Sequence, residues 1–319
     1  MNNILIIGTG NIGLRHLESI SKSKKKLNIF IYDLLYSKQI NELVVKINKY
    51  KNKVCVTKLN NLNIKHKIDV CIIATNSKER YKVSSLVIRK VQIKNIIFEK
   101  IAFQTTKAFK SIINISQKKK INLYVNCPRR TYKIFKDIKK KIKNINGKLS
   151  LSYSGSKWGL CSNSIHFFDL LFFFTKFDNK YIVNDKLKNQ VIVSKRNGYF
   201  ELQGLLEISS KNYYFHVKDD EKINQNSLTI SKGNIFFEIK YDNIKKCFVL
   251  KSNTFRPKKI SIPLQSDLTL NQINMLIDNK NCELTKIEDS IKYHEVLIKV
   301  FLKKFNKIFK KKIYNCPIT

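Results

Sequence analysis

Gly8-Thr9-Gly10-Asn11-Ile12-Gly13 is the first stretch whose residue types and spacing suit chemistry. It is a G-x-G-x-x-G that follows a β-branched run and opens a helical pattern, the setting in which three glycines bind a dinucleotide. Gly8 permits the tight turn, Gly10 lets the backbone approach a pyrophosphate, and Gly13 allows helix and strand to pack closely. The amides at the helix start, with Asn11 and Ile12, then face the phosphates. The chain has only nine glycines, so three at these spacings are not an ordinary turn. Asp33 follows about 20 residues later, where a carboxylate accepts hydrogen bonds from a ribose 2′-hydroxyl and so favours NAD over NADP. Tyr36 and Lys38 nearby could instead accommodate a 2′-phosphate, which keeps NADP as the lesser alternative.

A turn of this kind needs a sheet to hold it. Strand-like runs at 4–7, 29–32, 54–57, 70–74, 96–98 and 123–125 alternate with helical patterns at 11–23, 37–49, 78–90 and 105–118. That alternation predicts a doubly wound parallel sheet covered by helices. After about Gly147 the pattern changes to closely spaced strand-like segments at 149–154, 190–194, 200–208, 213–217, 227–231, 235–239 and 247–250, with few helices. Such a run predicts a second domain with a largely antiparallel sheet. A long amphipathic helix from about 285 to 307 closes the chain. The expectation is an α/β Rossmann domain over 1–125, then an α+β domain with a large, mostly antiparallel open sheet over 126–319, joined without a linker.

Composition excludes several classes. At 319 residues and 43% hydrophobic the chain has material for two packed domains. No run approaches the ~18 or more uncharged apolar residues of a membrane span. The amino terminus enters a strand directly, without the pattern of a secretory signal. Seven cysteines without a C-x-x-C pair form neither a disulfide framework nor a zinc-ligand spacing, so a cytoplasmic protein with no metal is expected. The net charge of +39 comes mostly from Lys spread along the whole chain. Nucleic-acid readers concentrate Arg and aromatic residues on one face, so no specific nucleic-acid partner is expected. The runs 24–26, 118–120 and 139–141 fall where helices should end, a position the helix dipole favours for cations.

The motifs taken in order resemble the glucose-fructose oxidoreductase and inositol dehydrogenase family, known as Gfo/Idh/MocA. The resemblance starts with Gly8–Gly13 followed by Leu14-Arg15-His16, and continues through 69–75 and Phe98-Glu99-Lys100. It extends through the run from Trp158 to Leu170, the final helix and the ending Cys316-Pro317-Ile318-Thr319. It implies a nicotinamide cofactor on the first domain, with Thr75, Asn76 and Glu99 joining the glycine turn and Asp33 in holding it. It also implies a second domain whose open sheet supports a homo-oligomer, and an active site between the domains. Lys100 matches the family lysine that contacts the reacting oxygen of a sugar or cyclitol, although Ile101 stands where proline is usual. His166 matches the family histidine, with Ser162 in the place of its aspartate. Arg129 and Arg130 fall where a substrate-facing basic or aromatic residue is frequent; Trp158 and Asn163 lie in the run that resembles substrate-binding segments. Arg80, where histidine is frequent, is a cofactor-edge candidate.

Chemically the pair is coherent. Oxidising a carbinol needs a base for the hydroxyl proton while hydride leaves the carbon. A partly buried lysine can orient the oxygen, and a histidine, with an ordinary pKa of about 6.5, carries protons at neutral pH. Taken alone, a histidine before Phe-Phe reads as a core residue; the resemblance gives it a function. The expected activity is hydride transfer to or from a hydroxyl or keto carbon of a sugar derivative, a nucleotide-linked or acidic sugar of surface-polysaccharide assembly. Two alternatives stay open: a lyase or epimerase that reduces and reoxidises tightly bound NAD, and a non-catalytic dinucleotide-binding partner protein.

Overall fold

The computed structural model describes all residues except Lys51 and residues 243–246, and omits the side chains of Asp242, Gln265 and Ser266. The described residues form two compact units. One comprises 1–126, 263–292 and Thr319; the other comprises 127–262 and 293–318. This is not the single cut between 125 and 126 expected from the sequence, because residues 263–292 and Thr319 return to the first unit.

The first unit is built on strands β1 (Asn2–Ile7), β2 (Leu27–Tyr32), β3 (Val54–Leu59), β4 (Ile68–Ile73), β5 (Ile93–Glu99) and β6 (Asn122–Asn126). They pair in parallel in the order β6-β5-β4-β1-β2-β3, the doubly wound order, with its switch point between β1 and β4. Burial on both faces gives β1 and β4 continuous apolar runs, Ile4–Ile7 and 70–73. Helices α1 (Asn11–Ile20), α2 (Lys38–Tyr50), α3 (Ser77–Lys90) and α4 (Thr106–Lys118) connect them. The lysines at 24–26 lie beyond the end of α1, in the turn that enters β2, rather than at a helix end.

The second unit starts with a 3₁₀ turn (Pro128–Thr131) and α5 (Lys133–Ile142), followed by β7 (Leu149–Gly155) and α6 (Leu160–Phe174). Strands β8 (Ile182–Val193), β9 (Phe200–Ser209), β10 (Tyr213–Asp219), β11 (Ser227–Lys232), β12 (Ile235–Asp242), β13 (Cys247–Ser252) and β14 (Phe255–Ile260) complete an eight-stranded sheet with β7. All its pairings are antiparallel except β7 with β10. The segment expected at 190–194 is the end of the much longer β8. Two further elements follow: α7 (Gln265–Ile277) and α8 (Ile287–Phe309). The closing helix therefore starts at Ile287; Thr285 and Lys286, expected in its first turn, form a short strand, β15, antiparallel to β6.

Candidate active site

At the end of β1 the chain turns at Gly8 with a φ of 87°, a conformation glycine adopts without strain. A Cβ on Gly8 would lie 2.8 Å from the Thr75 amide nitrogen, and one on Gly13 would lie 2.0 Å from the Gly8 carbonyl oxygen. Both glycines are therefore required by the packing of the turn itself. Gly10 differs: a Cβ there would meet nothing within 4 Å, so the turn opens on free space. No side chain caps the first turn of α1, which leaves its leading amides to a ligand. Beside this opening is a cavity of about 180 Å³ lined in part by Thr9, Gly10, Asn11, Asp33 and Ser37. Asp33 Oδ2 accepts from the Thr9 amide at 2.5 Å and its hydroxyl at 2.9 Å, and Oδ1 accepts from the Leu34 amide at 2.7 Å. The carboxylate is thus fixed at the rim. The uncapped helix start, the gap at Gly10 and this rim fit a dinucleotide. Tyr36, an alternative ligand for a 2′-phosphate, directs its hydroxyl to the carbonyls of Ile31 and Leu59 at 2.8 and 2.9 Å.

Thr75 and Lys100 follow the ends of β4 and β5, the carboxyl edge that also carries the glycine turn. Glu99, expected to hold the cofactor, turns its carboxylate into the protein. It is 9% exposed and accepts from Asn126 Nδ2 at 2.5 Å, with His16 Nε2 at 3.0 Å. His16, 1% exposed, meets the Thr269 hydroxyl through its other ring nitrogen at 2.9 Å. Burial pushes the Glu99 carboxyl up, but the hydrogen bond and charge of His16, the Asn126 amide and the Arg80 charge outweigh it and hold the group below its ordinary range. Arg80, the cofactor-edge candidate, is turned into the protein. It is 2% exposed and donates to the carbonyl oxygens of Glu99, Ile101 and Thr75, bracketing the half-buried Lys100. Asn76 accepts from the Glu79 amide at 3.1 Å and caps α3.

In the second unit α6 carries the half-buried His166 one turn after Ser162. The sequence reading missed two carboxylates that fix the start of this helix. Glu201 on β9 accepts from the Cys161 amide at 2.7 Å and the Ser162 amide at 3.2 Å. Asp219 on β10 accepts from the amides of Lys157 and Trp158 at 2.9 and 3.1 Å. An acceptor arriving from a distant strand leaves no local spacing to read. Trp158 and Asn163, expected to bind substrate, also serve this turn: Trp158 Nε1 donates to the Lys218 carbonyl at 2.9 Å, and the Asn163 amide donates to the Trp158 carbonyl at 2.6 Å. Arg130 Nε pairs with the fully buried Asp169 at 2.9 Å. The Arg129 guanidinium instead lies 4.2 Å from the centroid of the Phe167 ring, and burial pulls its pKa down.

Residues 2–127 match a family model described as an oxidoreductase family with an NAD-binding Rossmann fold. Over these residues the first domain resembles that family, the Gfo/Idh/MocA oxidoreductases. No curated protein matches it in sequence. Among solved structures it is similar to UDP-N-acetylglucosamine 3-dehydrogenase from Acidithiobacillus ferrooxidans, with 10% identity, a TM-score of 0.66, and coverage of 94% of this chain and 96% of that one. Biliverdin reductase from Synechocystis sp. PCC 6803, in complex with biliverdin and NADP⁺, has 12% identity, a TM-score of 0.66 and coverage of 95% and 98%. A super-repressor mutant of Gal80p from Saccharomyces cerevisiae has 13% identity, a TM-score of 0.70 and coverage of 96% and 97%. At these identities the likeness is one of fold. Among the described residues no helix is long and apolar enough to cross a membrane.

Proposed function

We propose that the protein is an NAD-dependent oxidoreductase acting on a hydroxyl or keto carbon of a sugar derivative, a nucleotide-linked or acidic sugar of surface-polysaccharide assembly. The observation that carries this reading is the common edge of the parallel sheet, where the open turn at Gly10, the fixed Asp33 carboxylate and the half-buried Lys100 follow β1, β2 and β5. When bound, the nicotinamide supplies or accepts the hydride. Gly10 and the start of α1 receive the pyrophosphate, and Asp33 accepts from the adenosine ribose. Asp33 and the engaged hydroxyl of Tyr36 both support NAD over NADP. Lys100 orients the reacting oxygen, and His166 takes or returns its proton. Arg129 contributes to substrate binding; Arg130 acts through Asp169 and Glu99 through Lys100, each by fixing backbone. The dehydrogenase acting on UDP-N-acetylglucosamine among the structural neighbours supports a sugar-nucleotide substrate. A homo-oligomer belongs to the same reading.

The test is a panel of nucleotide sugars and uronic acids, each with NAD and with NADP, followed by nicotinamide absorbance. Reduction of NAD by at least one sugar is expected. Bound nicotinamide that copurifies and turns over without net absorbance change would select the lyase or epimerase reading. The likeness to a repressor favours a second reading, a dinucleotide-binding partner protein. Dinucleotide binding without any turnover across the panel would select it.

A further inference from the structure

The two adjacent arginines of the 3₁₀ turn share a residue type but not a setting. Arg130 is neutralised by Asp169, whose side chain has no exposure. Arg129 has no carboxylate within ion-pair distance among the described residues; it lies over the Phe167 ring, its guanidinium carbon 4.2 Å from the centroid. Phe167 is stacked on Tyr153 at 3.9 Å, and Tyr153 meets Trp158 edge-on at 4.8 Å. The ionisable groups facing Arg129 are Tyr132, Tyr153 and Cys127. Burial pushes both phenols up, so neither is a counter-ion at neutral pH. A guanidinium does not shed its proton in this range. The result is a half-buried cation with aromatic walls and no anion among the described residues. The arrangement carries a desolvation cost that an oxyanion would offset. The planar fork matches a carboxylate or a phosphate bidentately, and stacking on Phe167 holds the fork in place beforehand.

We infer that Arg129 is the receptor for an oxyanion on the substrate, a ring carboxylate or a sugar phosphate, held against Phe167 on the helix that carries His166. This rests on the oxidoreductase reading for the sugar itself and deepens it by assigning the residue that holds the substrate's charge. The many surface lysines do not compete as explanations, because they are solvated and lack this enclosure.

Trp158, the sole tryptophan, adjoins the cluster and reports on it. The full chain, saturated with NAD, is titrated with sodium glucuronate, glucose 1-phosphate and glucose at constant ionic strength while Trp158 emission is followed. Fixed ionic strength keeps screening of the +39 charge equal in every arm. A saturable change with glucuronate or glucose 1-phosphate, at about ten- to hundredfold lower concentration than with glucose, is expected, and the stronger arm identifies the source of the oxyanion. Arg129→Gln should remove that preference, bringing the anionic sugars down to the affinity of glucose, in a protein that still unfolds cooperatively. Arg129→Met, which keeps an apolar chain over Phe167, is the second variant should the first fail to fold. No anion preference in the wild type, or a preference that survives in a folded variant, overturns the inference. Because binding is read and not turnover, an Arg129-dependent anion response without dinucleotide reduction unseats the oxidoreductase reading alone. Hydride transfer confined to uncharged sugars unseats the receptor alone.

Discussion

On the proposed reading, the Asp33 carboxylate selects between two cofactors. Its oxygens are held by the amides of Thr9 and Leu34, so it cannot swing away from a 2′-phosphate placed at the same rim. Calorimetric titration should find NAD bound more tightly than NADP. Asp33→Ala should lose about 1.5–3 kcal/mol of NAD affinity, the worth of a hydrogen bond to a charged group. Tighter NADP binding by the wild type would refute the assignment. In the proposed mechanism Lys100 and His166 serve the chemistry rather than the dinucleotide. Lys100→Met and His166→Ala should each leave NAD affinity nearly unchanged and lower kcat by about 10²–10⁴-fold. Their combined loss should fall short of the product, because groups serving one proton transfer act as a unit. If His166→Ala turns over at close to the wild-type rate, the proton leaves by Lys100 or by water.

The glycine turn is an element in which identical residues answer different demands. Gly10→Val should abolish NAD-induced thermal stabilisation with little change in the unliganded melting temperature, since its side chain would enter open space. Gly13→Val should lower the unliganded melting temperature itself, because its Cβ would overlap the Gly8 carbonyl. Equal effects from both would show that the dinucleotide lies elsewhere. The Glu99 network makes its own demand. With its pKa held below the ordinary 4.5, the Glu99 carboxylate contributes stability that is present above pH 4.5 and lost as pH falls through the lower folded value. Glu99→Gln should cost about 1–3 kcal/mol at neutral pH and flatten the loss of stability below pH 4.5 seen in melting curves. These same elements divide what a sequence can disclose from what it cannot. The turn and the parallel strands were legible because their signals are local: glycine spacing and β-branched runs. Helix α6 was not read because Leu160–Phe174 scatters Ser162, Asn163, His166 and the buried Asp169 among a majority of apolar residues, which leaves only a weak helical period. Strand β14 carries Arg256, Pro257, Lys258 and Lys259, which suit a sheet edge but not a strand signature. Glu201, Asp219, and the different fates of Arg129 and Arg130 depend on strands and helices far away in the chain.

Over the whole molecule none of the seven described cysteines forms a disulfide, and the positive charge lies on a chain whose first domain matches an oxidoreductase-family model. That unit is not contiguous. Helix α7 returns to it after the eight-stranded sheet, placing Ile273 and Leu276 in the core of the parallel-sheet unit and Thr269 against His16. Each buried aliphatic side chain is worth about 1.5–3 kcal/mol, so losing two of them with the Thr269 contact removes on the order of 5 kcal/mol. That is as large as the whole stability of a small domain. A fragment of residues 1–126 should therefore lack a cooperative melting transition and show no stabilisation by NAD, whereas the full chain shows both. A fragment that melts cooperatively and binds NAD would refute this. On the ribosome the dependence becomes a matter of timing. Synthesis runs from the glycine turn to the second sheet before α7 emerges, so the first motif made belongs to the last core completed. Cofactor capture is thereby expected to wait until α7 has been delivered, and a transcript broken before α7 should yield a product that does not sequester dinucleotide.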